Sequence, residues 1–361
     1  MKRILPLLLV LPLAAFACKS KSSADDNDNG AQTGENGENG DGTATEEELG
    51  RNPIEGIAPP KAVVETFGFT DGPVWHKDLN VLIFSMPLGE QPSVWRMLPD
   101  GRRMQLRQGN RADGSIPIGN SIAPDGTIVG VEAKRLVRMV LPADGKGAPD
   151  VQVIATGYPP GGEAPPVPDP ADPNAPPPSA PGEFDTLNDV VARKDGTMYV
   201  TDPGYFATPI ANRIYRVTAG GEVQVVEAFD DVPRPNGIAL SPDEKTLYVG
   251  FSRPTVGTLP FVRQYNVNDD GTLGEWTKFV DIGPEDADPD GLAVDQGGNV
   301  YVATKAGIEV YKADGMKIGV VAVPEVPTGM TFGGKDMKSM YVTTQGSKIW
   351  ELRLNVPGLS Q

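Results

Sequence analysis

The sequence predicts an all-β fold, a six-bladed β-propeller, on three observations. From about residue 61 to 354 helix signals are sparse, and short alternating apolar runs are separated by Gly, Pro, Asn and Asp. That is the pattern of strands joined by turns. One unit then recurs six times at spacings suited to a four-stranded blade. Finally, a strand-like run precedes the first unit, and the last unit is one strand short.

The repeat unit is a polar residue, a small or apolar stretch, a turn, and a strand of the Tyr-Val type. It begins at Asp71, Asn120, Asn188, Asn236, Asp290 and Thr328, and the starts are separated by 49, 68, 48, 54 and 38 residues. The long gap holds an insertion at 158–182 with eleven prolines, which cannot join a sheet and reads as an extended loop. It follows an outer strand, so it runs on the face where the next unit begins. There it is either a lid over that face or a variable surface loop. The expected boundaries are a propeller over 61–355, closed by pairing of the run Ala62–Phe67 with the last blade. A sandwich or paired barrels would leave six in-phase repeats unexplained.

The N-terminus reads differently. Lys2 and Arg3 precede an apolar run from Ile4 to Phe16, and Cys18 follows directly. Residues 1–17 are therefore expected to be a secretory signal peptide, too short to span a membrane. Cys18, at the cleavage point, resembles the lipidated cysteine of a bacterial lipoprotein. From Lys19 to Pro60 there are ten acids, three bases and few large apolar residues, so 18–60 is expected to be a lipidated cysteine and a disordered tether. Lys19 points, by the enteric sorting rule, to the periplasmic side of an outer membrane. The membrane is thus a partner only through the lipid anchor, and the chain is expected to be monomeric.

The formal net charge is −16, which argues against nucleic acid as a partner. One cysteine excludes an internal disulfide, and one histidine leaves a multi-histidine metal site or a serine–histidine–aspartate triad almost nothing to draw on. In a propeller the innermost strand of each blade begins at the mouth of the channel, so the six unit-starting residues form a ring around the axis. Carboxylates and amides converging there suit a hard cation such as calcium and suit zinc or copper poorly. Singly, Asn236-Gly237 or Asp290-Gly291 also fits a hairpin turn, as Asp125-Gly126 and Asp195-Gly196 do between strands.

Across 61–354, Gly72-Pro73-Val74-Trp75, Leu187-Asn188-Asp189-Val190-Val191, Tyr199-Val200-Thr201-Asp202-Pro203, Pro235-Asn236-Gly237-Ile238-Ala239 and Pro289-Asp290-Gly291-Leu292-Ala293 resemble the gluconolactonase/regucalcin (senescence marker protein) family. The resemblance implies a divalent metal in the channel and hydrolysis of sugar lactones or related esters. Calcium is the expected ion, with zinc, magnesium and manganese as alternatives. By position it places metal ligands at Asp71, Asn188, Asn236 and Asp290, with Asp290 also as catalytic base or nucleophile. Asp71 stands where the family has glutamate, and Thr186 where some members have a substrate-binding arginine. Asn120, Glu132, Thr186, Asp202, Tyr205 and Thr328 are expected to line the substrate pocket. His76 alternates away from the channel. The competing readings are a phosphotriesterase-like hydrolase on the same site and a non-catalytic binding propeller with a vestigial one.

Overall fold

The computed structural model describes residues 44–359, apart from 99, 143–146, 160–181, 206–211, 230–233, 253–258 and 285–286. Among these residues the chain forms one short helix, α1 (Glu46–Leu49), and 24 strands. The first, β1 (Lys61–Glu65), precedes the blades. Blade 1 is β2 (Asp71–His76), β3 (Val81–Met86), β4 (Ser93–Met97) and β5 (Arg103–Gln108). Blade 2 is β6 (Pro117–Ile122), β7 (Ile128–Glu132), β8 (Arg135–Val140) and β9 (Asp150–Ala155). Blade 3 is β10 (Val190–Ala192), β11 (Met198–Asp202), β12 (Asn212–Val217) and β13 (Val223–Phe229). Blade 4 is β14 (Arg234–Leu240), β15 (Thr246–Ser252), β16 (Phe261–Val267) and β17 (Leu273–Asp281). Blade 5 is β18 (Leu292–Val294), β19 (Val300–Thr304), β20 (Gly307–Tyr311) and β21 (Lys317–Val321). Blade 6 has β22 (Pro327–Gly333), β23 (Ser339–Thr344) and β24 (Lys348–Arg353). Its sheet runs β1-β24-β23-β22, so the first strand closes the last blade, as the sequence predicted. Closure leaves no open edge between the first and last blades.

Strand sequences follow from where each strand sits. β3, β7, β11, β19 and β23 are buried along their whole length. A strand covered on both faces needs an unbroken apolar run, and Val81-Leu82-Ile83-Phe84 is one. The outer strand β17 is largely exposed. The core lies between blades: Tyr199 and Ile214 of blade 3 pack with Ile238, Leu247 and Phe251 of blade 4. Trp75 stacks on Tyr341 at 5.3 Å across the closure between blades 1 and 6. Each such side chain contributes roughly 1.5–3 kcal/mol on burial. Asp125-Gly126 and Asp195-Gly196 do form the expected turns. Each aspartate accepts the N–H two residues on, and each glycine has positive φ.

One boundary needs correction. Residues 44–60 belong to the propeller, not to a free stalk. Thr45 and Glu48 form a capping box on α1, and Lys338 Nζ donates to Glu48 at 2.8 Å. The Asn355 side chain donates to the carbonyls of Asn52 and Glu55, both at 2.9 Å. Ile54 and Ile57 pack against the cluster shared by blades 5 and 6. The segment's polar composition concealed these few apolar anchors, and backbone bonds supply the rest. This strap meets the propeller at the β18–β19 hairpin, where Ala44 N–H reaches Gln296. That hairpin is at the end of blade 5 opposite Asp290. Cys18 and the expected signal peptide at 1–17 lie outside the described residues, as does most of the proline-rich insertion. The insertion's stem is described: Gly157 bridges to Glu183, and Tyr158 N–H bonds Gly182 O at 2.8 Å. No described helix is long and apolar enough to cross a membrane.

Candidate metal centre and substrate mouth

The channel end of each inner strand is shaped by close backbone contact between neighbouring blades. A Cβ on Gly237 would lie 2.1 Å from the carbonyl oxygen of Asp290, and one on Gly291 would lie 2.8 Å from that of Thr328. A Cβ on Gly72 would lie 2.0 Å from Ile118 O, and one on Gly329 2.7 Å from Pro73. The glycine after a ring residue is therefore required by close approach, not by a turn. The same contacts correct the ring in blade 2. Ile118-Gly119 stands where the other blades have ring residue and glycine, and Asn120 lies two residues deeper.

Asp71, Asn188, Asn236 and Asp290 line one cavity of about 40 Å³, together with Asp189 and Asn120. That is room for an ion with one or two waters. β-Bulges fall at the ring in blades 1 and 4, between Asp71 and Val74 and between Pro235 and Ile238. Bulges re-aim side chains at such sites. Asp71 reaches the cavity although it has one methylene fewer than glutamate.

Electrostatically the cavity favours a cation. Burial, with protein on all sides of a narrow opening, lifts the Asp71 carboxyl to about 6. Burial lifts Asp290 well above the usual carboxylate range, and the charges of Asp71 and Asp189 push the same way. Asp189 rises to about 8, chiefly by burial, against two backbone N–H donors that favour its ionised form. The Asn236 amide nitrogen reaches Tyr205 Oη at 3.3 Å, while its Oδ1 is buried without a partner. An orphaned amide oxygen between carboxylates of raised proton affinity is the donor set a calcium-like ion would satisfy. Among the described residues no cluster of three or more His, Cys, Asp or Glu is arranged to hold a metal. The donors here are two carboxylates and two amides, which is oxygen chemistry.

Above this cavity the mouth opens into a second one of about 130 Å³. Its walls include Tyr205, Asn236, Ser252, Asp288, Asp290, Thr304, Lys305 and Gln345. Ser252 Oγ is buried and has no hydrogen-bond partner. The Arg234 guanidinium stacks 5.2 Å from the Tyr205 ring.

Of the expected substrate contacts, only Tyr205 lines this mouth. Asn120 faces the deeper channel, but its amide donates to Gly72 O and Ser85 Oγ, tying blade 1 to blade 2. Glu132 is buried and bound by Arg107 and Arg135. Thr328 is fully buried, its hydroxyl donating to Thr70 O and lying 3.0 Å from Thr343 Oγ1. Thr186 and Asp202 are buried against each other, with Thr186 N–H donating to Asp202 at 2.8 Å. These four satisfy protein donors and acceptors and do not face the cavity. His76 sits at the far end of β2, as expected.

Sequence reading passed over Asp189, Ser252 and Lys305. Asp189 carried a signal, since it stands in blade 3 where five inner strands have glycine. Its carboxylate accepts the N–H groups of Val190 and, across to blade 4, Ile238.

Fold and site together define a six-bladed propeller with an oxygen-donor centre at the mouth of its channel. The SMP-30/Gluconolactonase/LRE-like region matches residues 69–346, and the chain belongs to that family. It is 26% identical over 289 residues to a gluconolactonase of Zymomonas mobilis, covering 73% of this chain and 72% of the relative. It is 33% identical over 165 residues to a pentonolactonase of Haloferax volcanii, covering 44% and 53%. Among solved structures, a gluconolactonase from Xanthomonas campestris superposes with TM-score 0.63 at 23% identity, covering 84% of this chain and 91% of that one. A regucalcin from Agrobacterium tumefaciens, described as a calcium-binding protein, gives 0.63 at 19%, covering 84% and 96%. At those identities the structures speak to the fold alone.

Proposed function

We propose that the chain hydrolyses hydroxylated lactones, using a divalent cation held by Asp71, Asn188, Asn236 and Asp290. The observation that carries this is the unpartnered Asn236 Oδ1, set between two carboxylates beneath an open polar mouth. Membership of a family with lactonase relatives supports the reaction class. Calcium is the expected ion because every donor is an oxygen.

When bound, the ion supplies positive charge that polarises the lactone carbonyl. Asp290, raised by burial and by the charges of Asp71 and Asp189, would be held in its ionised form beside a bound cation. Asp290 lines both cavities and so stands between the ring and the mouth. It takes a proton from water as that water adds to the carbonyl carbon. The ring C–O bond then breaks, and the leaving oxygen recovers the proton from Asp290. The products are those of one water added across one ester bond. Ser252, Gln345 and Tyr205 offer polar atoms to ring hydroxyls, which favours a sugar lactone over an aliphatic one.

A thermal-shift titration with calcium, followed by glucono-1,5-lactone hydrolysis with and without chelator, tests the reading. Stabilisation by calcium and chelator-sensitive turnover are expected. No stabilisation at millimolar calcium would remove the cation. Stabilisation without turnover of lactones would favour a binding propeller, and turnover of phosphotriesters alone would move the chemistry to phosphorus. We also propose that Cys18 carries lipid. Metabolic labelling with an alkynyl fatty acid should mark the wild-type chain and not Cys18→Ser, and equal labelling of both would refute it.

A further inference from the structure

We infer that Asp202 is a positioning residue whose buried carboxylate clamps the backbone before Asn188 and so holds that amide in the channel ring. The inference rests on the cation reading above, because it concerns one proposed ligand.

Asn188 is placed unlike its counterpart in blade 4. Asn236 lies inside the seven-residue strand β14, and both residues before it are paired: Arg234 with Ser252 and Pro235 with Phe251. Asn188 stands two residues ahead of β10, which is three residues long. The segment 184–187 comes directly after the stem of the insertion and has no strand partner. Its backbone donors need acceptors from elsewhere.

Asp202 supplies them. Oδ1 accepts Thr186 N–H at 2.8 Å and Gly204 N–H at 3.3 Å. Oδ2 accepts Asp185 N–H at 2.9 Å and the Tyr215 hydroxyl at 3.3 Å. The residue is wholly inaccessible to solvent. A carboxylate offers about four lone-pair directions, so this one has none to spare for substrate. Two of its four bonds fall on consecutive amides, two and three residues before Asn188. Both oxygens are engaged, which fixes the segment in rotation as well as in position. Leu187 N–H to Ala133 O, at 3.1 Å, and Asn188 N–H to Thr201 O, at 2.9 Å, complete the hold.

In the repeat, Met198-Tyr199-Val200-Thr201-Asp202 matches Leu247-Tyr248-Val249-Gly250-Phe251, so Asp202 takes the place of Phe251. Blade 4 uses an aromatic residue there for packing. Blade 3 uses a carboxylate to hold the two amides that lie just beyond the backbone bonds of Asn188.

Europium luminescence tests this on the full-length protein. Europium takes calcium-type oxygen sites, and its lifetimes in H2O and D2O count the waters on the ion. Asn188→Ala should gain about one bound water, because one protein ligand among the 6–8 such an ion takes is lost. Asp202→Asn should gain the same water and weaken calcium binding about 10-fold, the usual scale for a partner behind a ligand. Added to Asn188→Ala, it should cost nothing more, whereas added to Asn236→Ala its loss should multiply. Tyr215→Phe removes one of the four bonds and should shift affinity the same way by less, which keeps the idea testable if Asp202→Asn does not fold. A folded Asp202→Asn with wild-type hydration and affinity would overturn the inference. So would losses that multiply in the Asn188→Ala background, or a Tyr215→Phe variant that leaves affinity unchanged. Failure of the wild type to bind either ion would remove the cation reading, and this inference with it.

Discussion

Blades 3 and 4 each bring an asparagine to the same cavity, and they hold it by opposite means. Blade 4 relies on backbone: a long inner strand, a bulge, and Gly237 pressed against the carbonyl of Asp290. Blade 3 relies on side chains. Asp202 binds the loop from behind, and Asp189 fills the glycine position and reaches across to Ile238 N–H. Asn236 sits in the bulge of blade 4, and its carbonyl accepts the Thr201 hydroxyl of blade 3 at 2.7 Å. The segment before Asn188, which lies ahead of the three-residue β10, takes two of its acceptors from a side chain.

Breaking the two halves separately sharpens the contrast. The largest effect is expected at the ring. Asp290→Ala should lower kcat by about 10²- to 10⁴-fold, the range of a general base, with the fold intact by circular dichroism. Unchanged kcat would remove Asp290 from the chemistry. Next comes the backbone device of blade 4. Gly237→Ala drives a Cβ into a carbonyl oxygen and should cost about 1–3 kcal/mol in denaturant unfolding, the usual scale of overpacking. A loss below about 0.5 kcal/mol would mean that the blades can part without penalty.

The mouth should respond more gently. Ser252→Ala removes a buried hydroxyl that has no partner, so Tm should hold or rise. On glucono-1,5-lactone kcat/KM should fall about 10-fold, and on δ-valerolactone, which lacks ring hydroxyls, it should not change. Equal losses on both substrates would show that Ser252 reads no hydroxyl.

The last expected effect concerns the carboxylates of the ring and their pH dependence. In the folded, metal-free chain Asp71 titrates near 6 and Asp189 near 8, while an unfolded aspartate does so near 4. The folded state thus keeps protons that the unfolded state has released. The stability this confers is complete below about pH 4 and is lost as pH rises through 6 to 8. In chelator Tm should therefore decline between pH 5 and 9, and calcium should restore most of it. Asp189→Gly, which makes blade 3 resemble its neighbours, should flatten the decline. A Tm in chelator that is level across that range would contradict the charge crowding.

Blade count and closure could be read from sequence, because the units recur in phase and the first and last fragments pair; phase alone offered six ring positions, and the family resemblance picked out the four that line one cavity. The mouth could not be read. Glu132 and Asp202 both end second strands at the right face, which made them look like pocket residues. Only the packing of neighbouring segments shows that two arginines claim one and four donors the other. Asn120 misled because its blade carries the polar residue two positions late. Asp189 looked like part of a motif until the five glycines at its level gave it a meaning.

The closing strand also sets an order of events. β1 leaves the ribosome first, yet its partner β24 is made last, nearly three hundred residues later. Until then β1 has an unsatisfied edge, and the inter-blade contact between Trp75 and Tyr341 waits on β23, made just before. The cyclic layout therefore makes maturation all-or-none. A chain truncated between Val321 and Lys348 keeps five blades' worth of sequence but lacks the strand that pairs with β1, so both flanking edges stay open.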